Sequence, residues 1–120
     1  MGRSVLVVDD DASFRNLATR ILVSWGHDVV GEAGSLGEAL QRASELEPDT
    51  VLADIGLPDG DGFELARQLQ AMPYRPRVVL ISSDSDAANG AAAQRVGACG
   101  FFPKDELSGM PFRQMIGEGR

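Results

Sequence analysis

The sequence predicts an α/β protein, a (βα)5 unit whose five-stranded parallel sheet is covered by helices on both faces. Short apolar runs alternate five times with segments of helical periodicity along 120 residues, and this alternation is typical of a parallel sheet. The first, third and fourth runs are almost continuously apolar, as expected of strands buried on both faces. We expect one domain over residues 1–120, with no output domain in this chain.

The apolar runs give the predicted strands, which lie at residues 5–8, 29–30, 51–53, 78–81 and 99–102. Pro103 closely follows the last run and has no N–H to donate, so the fifth strand is expected at an edge of the sheet. Cys99 is expected to be a small buried residue of that strand rather than a redox site.

The first two helices have recognisable ends. Gly26 is expected to end the first helix. Ser35 and Glu38 have the spacing of a capping box at the start of the second. The inward stripe of the first helix is predicted to be Phe14, Leu17, Ala18, Ile21, Leu22 and Trp25, and that of the second Leu36, Ala39, Leu40 and Ala43.

The sequence predicts three further helices. Asp61 is a suitable N-cap for the third, and Pro111 fits only the first turn of the fifth. The fourth, over residues 86–97, is rich in alanine and contains Gly90, so we expect it to be the least firmly packed. The inward residues of the third and fifth helices are predicted to be Phe63, Ala66, Leu69, Phe112, Met115 and Ile116.

Composition excludes several classes of protein. The net charge of −7 disfavours direct nucleic-acid binding, which requires a basic surface. There is a single cysteine, no apolar run approaches about 18 residues, and no signal segment is visible. We therefore expect a cytoplasmic protein that does not contact a membrane. The single histidine, His27, is expected to be an ordinary residue at the entry to a strand.

Polar residues follow four of the five strands, at the edge where open parallel sheets bind ligands. Three carboxylates gathered at one edge would raise one another's pKa unless a cation neutralised them. Oxygen ligands favour a hard cation, and Mg²⁺ fits best because it keeps positions open for phosphate oxygens. A carboxylate, a metal ion, a hydroxyl and a lysine form a set suited to phosphoryl transfer. The residues concerned are Asp9, Asp10 and Asp11, then Asp54 and Gly56, then Ser82, Ser83 and Asp84, and finally Lys104, the single lysine of the chain.

Four motifs in order, VLVVDDD, VLADIGLPDGDG, VVLISS and GFFPKD, resemble the receiver domain of two-component response regulators. The resemblance covers essentially the whole chain. It implies a CheY-like, flavodoxin-like sheet with strand order 2-1-3-4-5. It also implies a bacterial phosphorelay protein that is not a conventional turnover enzyme, although Mg²⁺-dependent self-phosphorylation and self-dephosphorylation are expected.

The resemblance assigns a role to each residue of the candidate site. It makes Asp54 the phospho-acceptor, and it gives the metal to Asp9, Asp10, Asp54 and the backbone carbonyl of Gly56, with Mn²⁺ able to replace Mg²⁺. It makes Ser82, Lys104 and Phe101 the residues that bind the phosphoryl group or switch with it. Ser83 and Asp84 are modulating positions.

The sequence departs from the family pattern at three points. Asp105 follows Lys104 where the family commonly has proline, so no cis peptide bond is expected there. Phe101 has no hydroxyl and can report a change of state only through packing. Gly56 has no side chain and Asp84 is acidic, at positions that tune access of water in the family, which bears on the lifetime of the phosphoryl group.

The implied partners are a sensor histidine kinase or phosphotransfer protein and a downstream protein or output domain. The latter is expected to bind the face formed by helix 4, strand 5 and helix 5. The sequence leaves open whether the chain is a stand-alone regulator or a receiver from a longer protein.

Two other functions fit part of the sequence. A receiver-shaped interaction module would share the fold without being phosphorylated. A haloacid-dehalogenase-like phosphatase would use Asp9 as its nucleophile, but it leaves the segment ADIGLPDGDG unexplained.

Overall fold

The computed structural model describes residues 3–83 and 90–117. A five-stranded parallel sheet forms its centre, in the order β2-β1-β3-β6-β7. Its strands are β1 (Ser4–Val8), β2 (Asp28–Ala33), β3 (Thr50–Asp54), β6 (Arg77–Ser82) and β7 (Gly100–Pro103). Two further strands, β4 (Gly56–Leu57) and β5 (Gly60–Asp61), have two residues each and pair antiparallel outside this sheet. With that short pair set aside, the order is the predicted 2-1-3-4-5.

The described residues form five α-helices, of which four connect strands and the last follows the final strand of the sheet. They are α1 (Ala12–Ser24), α2 (Leu36–Leu46), α3 (Gly62–Gln70), α4 (Gly90–Arg95) and α5 (Met110–Gly117), and a 3₁₀ turn covers Lys104–Glu106. Helix α4 corresponds to the second half of the predicted fourth helix. The first part of that prediction lies outside the described residues.

Side chains that alternate along the strands divide the core into two halves. One half packs under α2, α3 and α4, and the other under α1 and α5. Alternate residues of a strand point to opposite faces, so a strand covered on both sides must be apolar at every position. The first half takes Leu6, Val8, Val51, Ala53, Val78 and Leu80 from the sheet, and the second takes Val5, Val7, Leu52, Val79 and Ile81.

The predicted helix ends are present. Gly26 has φ +90° after the last turn of α1, where the N–H groups of Gly26 and His27 donate to Val23 and Leu22. This Schellman arrangement requires a left-handed residue, which glycine adopts without strain. Side chains cap the starts of α2 and α3, where Ser35 accepts from the N–H of Glu38 and Asp61 from that of Glu64.

Two predictions of burial were wrong, and one buried residue was not predicted. Leu17 is 51% exposed, because Phe14, Ala18 and Leu22 already form the buried row of α1 and Leu17 lies to one side of it. Leu65, absent from the predicted stripe of α3, is fully buried. Cys99 is exposed, since β7 begins one residue later.

Strand β7 lies at an edge of the sheet, as predicted from Pro103. No peptide bond within the described ranges is cis, so the chain passes from Pro103 through Lys104 to Asp105 in the ordinary trans form. None of the described helices is long and apolar enough to cross a membrane.

His27 should make stability depend on pH. Its Nδ1 accepts a hydrogen bond of 3.1 Å from the N–H of Arg3, which requires an unprotonated nitrogen. Burial, and then the charges of Arg3 and Arg113, lower its pKa below the ordinary value of 6.5. As the pH falls, His27 therefore takes up a proton in the unfolded chain before it does so in the folded chain. The stability that unprotonated His27 contributes is complete above pH 6.5 and is lost as the pH falls through the lowered pKa.

We expect the urea concentration at the unfolding midpoint to decrease when the pH is lowered from 7.5 to 5.5. The decrease should be smaller in His27→Gln, because glutamine cannot take up the proton. The variant should be compared with the original chain by fluorescence of Trp25. An equal fall in both proteins would show that other groups cause the pH dependence.

Candidate functional site

The carboxyl ends of β1, β3, β6 and β7 bring the predicted site residues to one edge of the sheet. Asp54 is the last residue of β3 and lies opposite Ile81 of β6. Ser82 ends β6 opposite Pro103, and Lys104 follows directly. Because parallel strands in register end together, residues far apart in sequence become neighbours here.

Asp9 is fully buried and is held by its backbone and one carboxylate oxygen. Its N–H donates to the carbonyl of Ala33 at the end of β2, and its Oδ1 accepts from the N–H of Asp11 at 2.9 Å. Arg15 donates from Nη1 to the carbonyl oxygen of Asp9 and forms an ion pair with Glu32 at 2.9 Å. These contacts fix the loop that leaves β1.

Lys104 supplies the positive charge of the site. Its Nζ lies 2.6 Å from Oδ2 of Asp9 and 3.3 Å from Oδ2 of Asp54, and also 4.2 Å from the centre of the Phe14 ring. Burial alone would lower the pKa of this ammonium group, but the carboxylates of Asp9 and Asp54 together raise it above its ordinary value. Lys104 therefore remains charged at neutral pH.

Burial has the opposite outcome at Asp9. Loss of hydration is the largest influence and raises the pKa of the Asp9 carboxyl, while Lys104 and the N–H of Asp11 oppose the shift without cancelling it. The negative charge of Asp54 adds to the increase. Burial thus disfavours the ionised form of Asp9 even beside Lys104, and a further cation near this carboxylate would stabilise that form.

Three carboxylates are placed to bind such a cation. One oxygen from each of Asp9, Asp10 and Asp54 lies within 4.8 Å of the others. Asp9 and Asp54 are buried and Asp10 is exposed, so the cluster opens to solvent on one side. An all-oxygen set of this kind suits a hard divalent ion. Gly56 lies two residues beyond Asp54 and is also exposed, with no atom within 4 Å of where a Cβ would stand.

The loop after Asp54 is held in place by close backbone packing. The N–H of Ile55 donates to the carbonyl of Ile81, and the N–H of Gly62 donates to that of Ile55. A Cβ at Gly62 would lie 2.7 Å from the carbonyl oxygen of Asp54 and 2.9 Å from Cα of Ile55. Only glycine allows α3 to begin this close to the end of β3.

Asp59 joins the same loop to helix α2. Its carboxylate accepts from the N–H of Leu36 at 2.7 Å and from that of Gly37 at 3.0 Å. These two N–H groups, that of Gly37 first, lower the pKa of Asp59 although the residue is exposed. This cap was not predicted, because a residue 23 positions away along the chain leaves no local pattern in the sequence.

The remaining predicted site residues are distributed around this edge. Ser82 is buried at the end of β6, and Ser83 beside it is exposed. Phe101 is half-buried, and its ring meets that of Phe63 edge-on at 5.8 Å. Asp84 lies outside the described residues.

Two residues near the site were not predicted to belong to it. Phe14 was assigned only to the core stripe of α1, and Arg15 was assigned no role. Both follow the acidic triplet within one helical turn, and that proximity was the available signal.

Comparison with known proteins gives consistent matches. Residues 5–109 match the family described as the response regulator receiver domain. The chemotaxis protein CheY of Thermotoga maritima is 32% identical over 104 residues, which is 87% of each chain. The crystal structure of the response regulator domain of Thermotoga maritima CheB covers 100% of both chains, with a TM-score of 0.84 and 28% identity.

Some relatives are much longer than this chain. The DNA-binding transcriptional activator DevR/DosR of Mycobacterium tuberculosis is 38% identical over an alignment that covers 100% of this chain and 56% of that protein. A putative transcriptional regulator of Pseudomonas aeruginosa is matched over 49% of its length. The chain thus spans about half the length of these two relatives.

The close contact at Gly62 gives a test of how the loop is held. We expect Gly62→Ala to lower the free energy of unfolding by about 1–3 kcal/mol, because the added methyl group displaces the backbone of Asp54. Gly90→Ala is the matched control, since no atom lies within 4 Å of a Cβ there. Urea denaturation measures both, and equal stability of the two variants would contradict the close packing.

Proposed function

The chain belongs to the response regulator receiver domain family, and from this premise we propose that Asp54 accepts a phosphoryl group in a metal-dependent reaction. The donor is the phosphohistidine of a sensor kinase or phosphotransfer protein, or a small phosphodonor. The observation that carries the proposal is the position of Asp54 at the carboxyl end of a central strand. There it lies beside one cation, Lys104, and two further carboxylates.

The step is a displacement at phosphorus. A carboxylate oxygen of Asp54 attacks the phosphorus atom, an O–P bond forms, and the P–N bond of the phosphohistidine breaks. The electron pair of that bond leaves with the imidazole, which takes up a proton. The product is an acyl phosphate. In the self-dephosphorylation that we include in the proposal, water attacks this group, the O–P bond breaks, and the carboxylate and inorganic phosphate are released.

Mg²⁺ is the proposed metal, and Mn²⁺ could replace it. Asp9, Asp10, Asp54 and the backbone carbonyl of Gly56 would hold the ion. The fit rests on the oxygen-only donor set, in which one oxygen from each of three carboxylates lies within 4.8 Å of the others. When bound, the ion supplies positive charge against the phosphoryl oxygens.

The other side chains of the site would bind the phosphoryl group or change conformation when it is present. Lys104 is 3.3 Å from Asp54 and is placed to pair with a phosphoryl oxygen once Asp54 carries the group. Ser82, at the end of the neighbouring strand, is assigned the hydroxyl that binds a second oxygen. Phe101 is assigned the responding aromatic residue, and its packing on Phe63 would change as Ser82 moves.

The lifetime of the phosphoryl group would depend on three flanking positions. Gly56 presents no side chain and leaves the acceptor open to attacking water. Ser83 is exposed and follows Ser82, and Asp84 is the third position, assigned from the sequence pattern.

The partner surfaces are also part of the proposal. A kinase or phosphotransfer protein would deliver the group, and a downstream protein or output domain would bind the face made by α4, β7 and α5. We propose a single cytoplasmic receiver domain over residues 1–120, with no direct contact with nucleic acid or membrane. This rests on the net charge of −7 and the length of the family match.

The acceptor can be identified by mass. We expect acetyl phosphate with Mg²⁺ to add one phosphoryl group to the chain, and Asp54→Asn to abolish the gain because the amide is not a nucleophile. Asp28→Asn, an exposed residue of β2, is the control and should be phosphorylated normally.

The result separates the three functions. Label found on Asp9 would favour the phosphatase interpretation, against which the match over residues 5–109 already counts. No gain in mass together with no Mg²⁺ binding would favour a receiver-shaped module that is not phosphorylated.

The acidic triplet gives a second test. We expect Asp10→Ala to weaken Mg²⁺ binding by at least about tenfold and to slow phosphorylation with it, because one of three carboxylate ligands is lost. Asp11→Ala should bind Mg²⁺ normally but lose about 1 kcal/mol of stability, since its side chain caps α1 by accepting from the N–H of Ser13.

Titration calorimetry measures binding in this test, and urea denaturation measures stability. Equal Mg²⁺ affinity of the two variants would contradict the assignment of Asp10 as a ligand.

A further inference from the structure

The aromatic ring of Phe14 packs against the ammonium group of Lys104. The centre of the ring lies 4.2 Å from Nζ, within the range of a cation–π interaction. Phe14 is 9% exposed, and the side chain of Lys104 is 18% exposed. The contact therefore lies largely out of water, where such interactions are strongest.

The ring completes a three-sided environment for one charge. Asp9 approaches Nζ at 2.6 Å, Asp54 at 3.3 Å, and the ring at 4.2 Å to its centre. The two carboxylates attract the ammonium by charge, whereas the ring face attracts it without accepting a conventional hydrogen bond. Lysine has a flexible four-carbon stem, so its charge stays in one place only if the surroundings restrict it.

We propose that Phe14 is a positioning residue, which holds Lys104 where it can reach a phosphoryl group on Asp54. The inference deepens the proposed function and rests on it, because Asp54 is taken as the acceptor. Phe14 acts through Lys104 and does not itself contact the reacting atoms. It is brought there by the first turn of α1, immediately after the acidic loop.

The attraction depends on the aromatic ring and not only on its bulk. Leucine would fill much of the same volume and keep the core apolar, but it has no negative ring face. Loss of a largely desolvated cation–π interaction slows a step that needs the cation in place by about 5- to 30-fold. A tyrosine keeps the ring and should keep the rate.

Lys104 is the single lysine of the chain, and it can therefore be observed alone. In protein labelled with ¹³C- and ¹⁵N-lysine, the Cε methylene protons give one set of NMR signals. Because the neighbouring Nζ lies 4.2 Å from the centre of the Phe14 ring, we expect the ring to shift these protons upfield of free lysine in the unphosphorylated protein. Phe14→Tyr should keep this shift, and both Phe14→Leu and Phe14→Met should lose it.

The rate measurement uses acetyl phosphate and Mg²⁺ with the same proteins. We expect Phe14→Leu and Phe14→Met to be phosphorylated about 5- to 30-fold more slowly, and Phe14→Tyr at the original rate. Phe112→Leu is the matched control. It removes a fully buried ring from the same half of the core, where Phe112 contacts Trp25 and Phe102. This control should lose stability and keep its rate.

Several outcomes would overturn the positioning role. They are lysine signals at the free-lysine position in the original folded protein, a normal rate in Phe14→Leu, or slowing in Phe112→Leu equal to that in Phe14→Leu. The NMR shift is measured without phosphorylation. A failure of Asp54 to accept a phosphoryl group would therefore remove the rate effect and leave the shift, which distinguishes failure of the proposed function from failure of the positioning role.

Discussion

The ion pair between Lys104 and Asp9 is the interaction on which the arrangement of this site depends. Asp9 is fully buried at the end of β1, and a buried carboxylate without a partner is strongly unfavourable. Lys104 follows the edge strand β7, three strands away from β1 in the sheet, and reaches both Asp9 and Asp54. One cation therefore keeps two acidic strand ends compatible with folding, and their remaining charge favours a second cation.

The sheet makes this arrangement possible because its strands are parallel and in register. Asp9 and Lys104 directly follow β1 and β7, Asp54 is the last residue of β3, and the three meet because these strands end at one level. Both faces of the sheet are buried, so a shift by one residue would exchange the side chains that the two halves of the core receive and disturb the packing of both. The core thus determines which polar residues meet, although it contributes none of them.

The sequence was sufficient to predict the fold and the residues that surround Asp54. Asp9, Asp54 and Lys104 were predicted to converge because strand ends can be read from apolar runs, and the structure places them within bonding distance. Contacts between distant segments could not be predicted in this way. Phe14 looked like an ordinary core residue, and its contact with Lys104 depends on how α1 packs against the sheet. The prediction of burial failed at Leu17 for a similar reason. Leu17 fits the helical period, but the neighbouring row of α1 residues, Phe14, Ala18 and Leu22, is the one that packs on the sheet.

The cap that Asp59 provides for α2 has a consequence for the order of folding. Ser35 caps the same helix from the adjacent position and can act as soon as the first turn forms. Asp59 is 23 residues beyond Leu36, and its two hydrogen bonds form only after the intervening strand has closed this stretch of chain. The first turn of α2 and the loop after Asp54 are thus completed in one event, and they are expected to open together as one cooperative unit in hydrogen exchange.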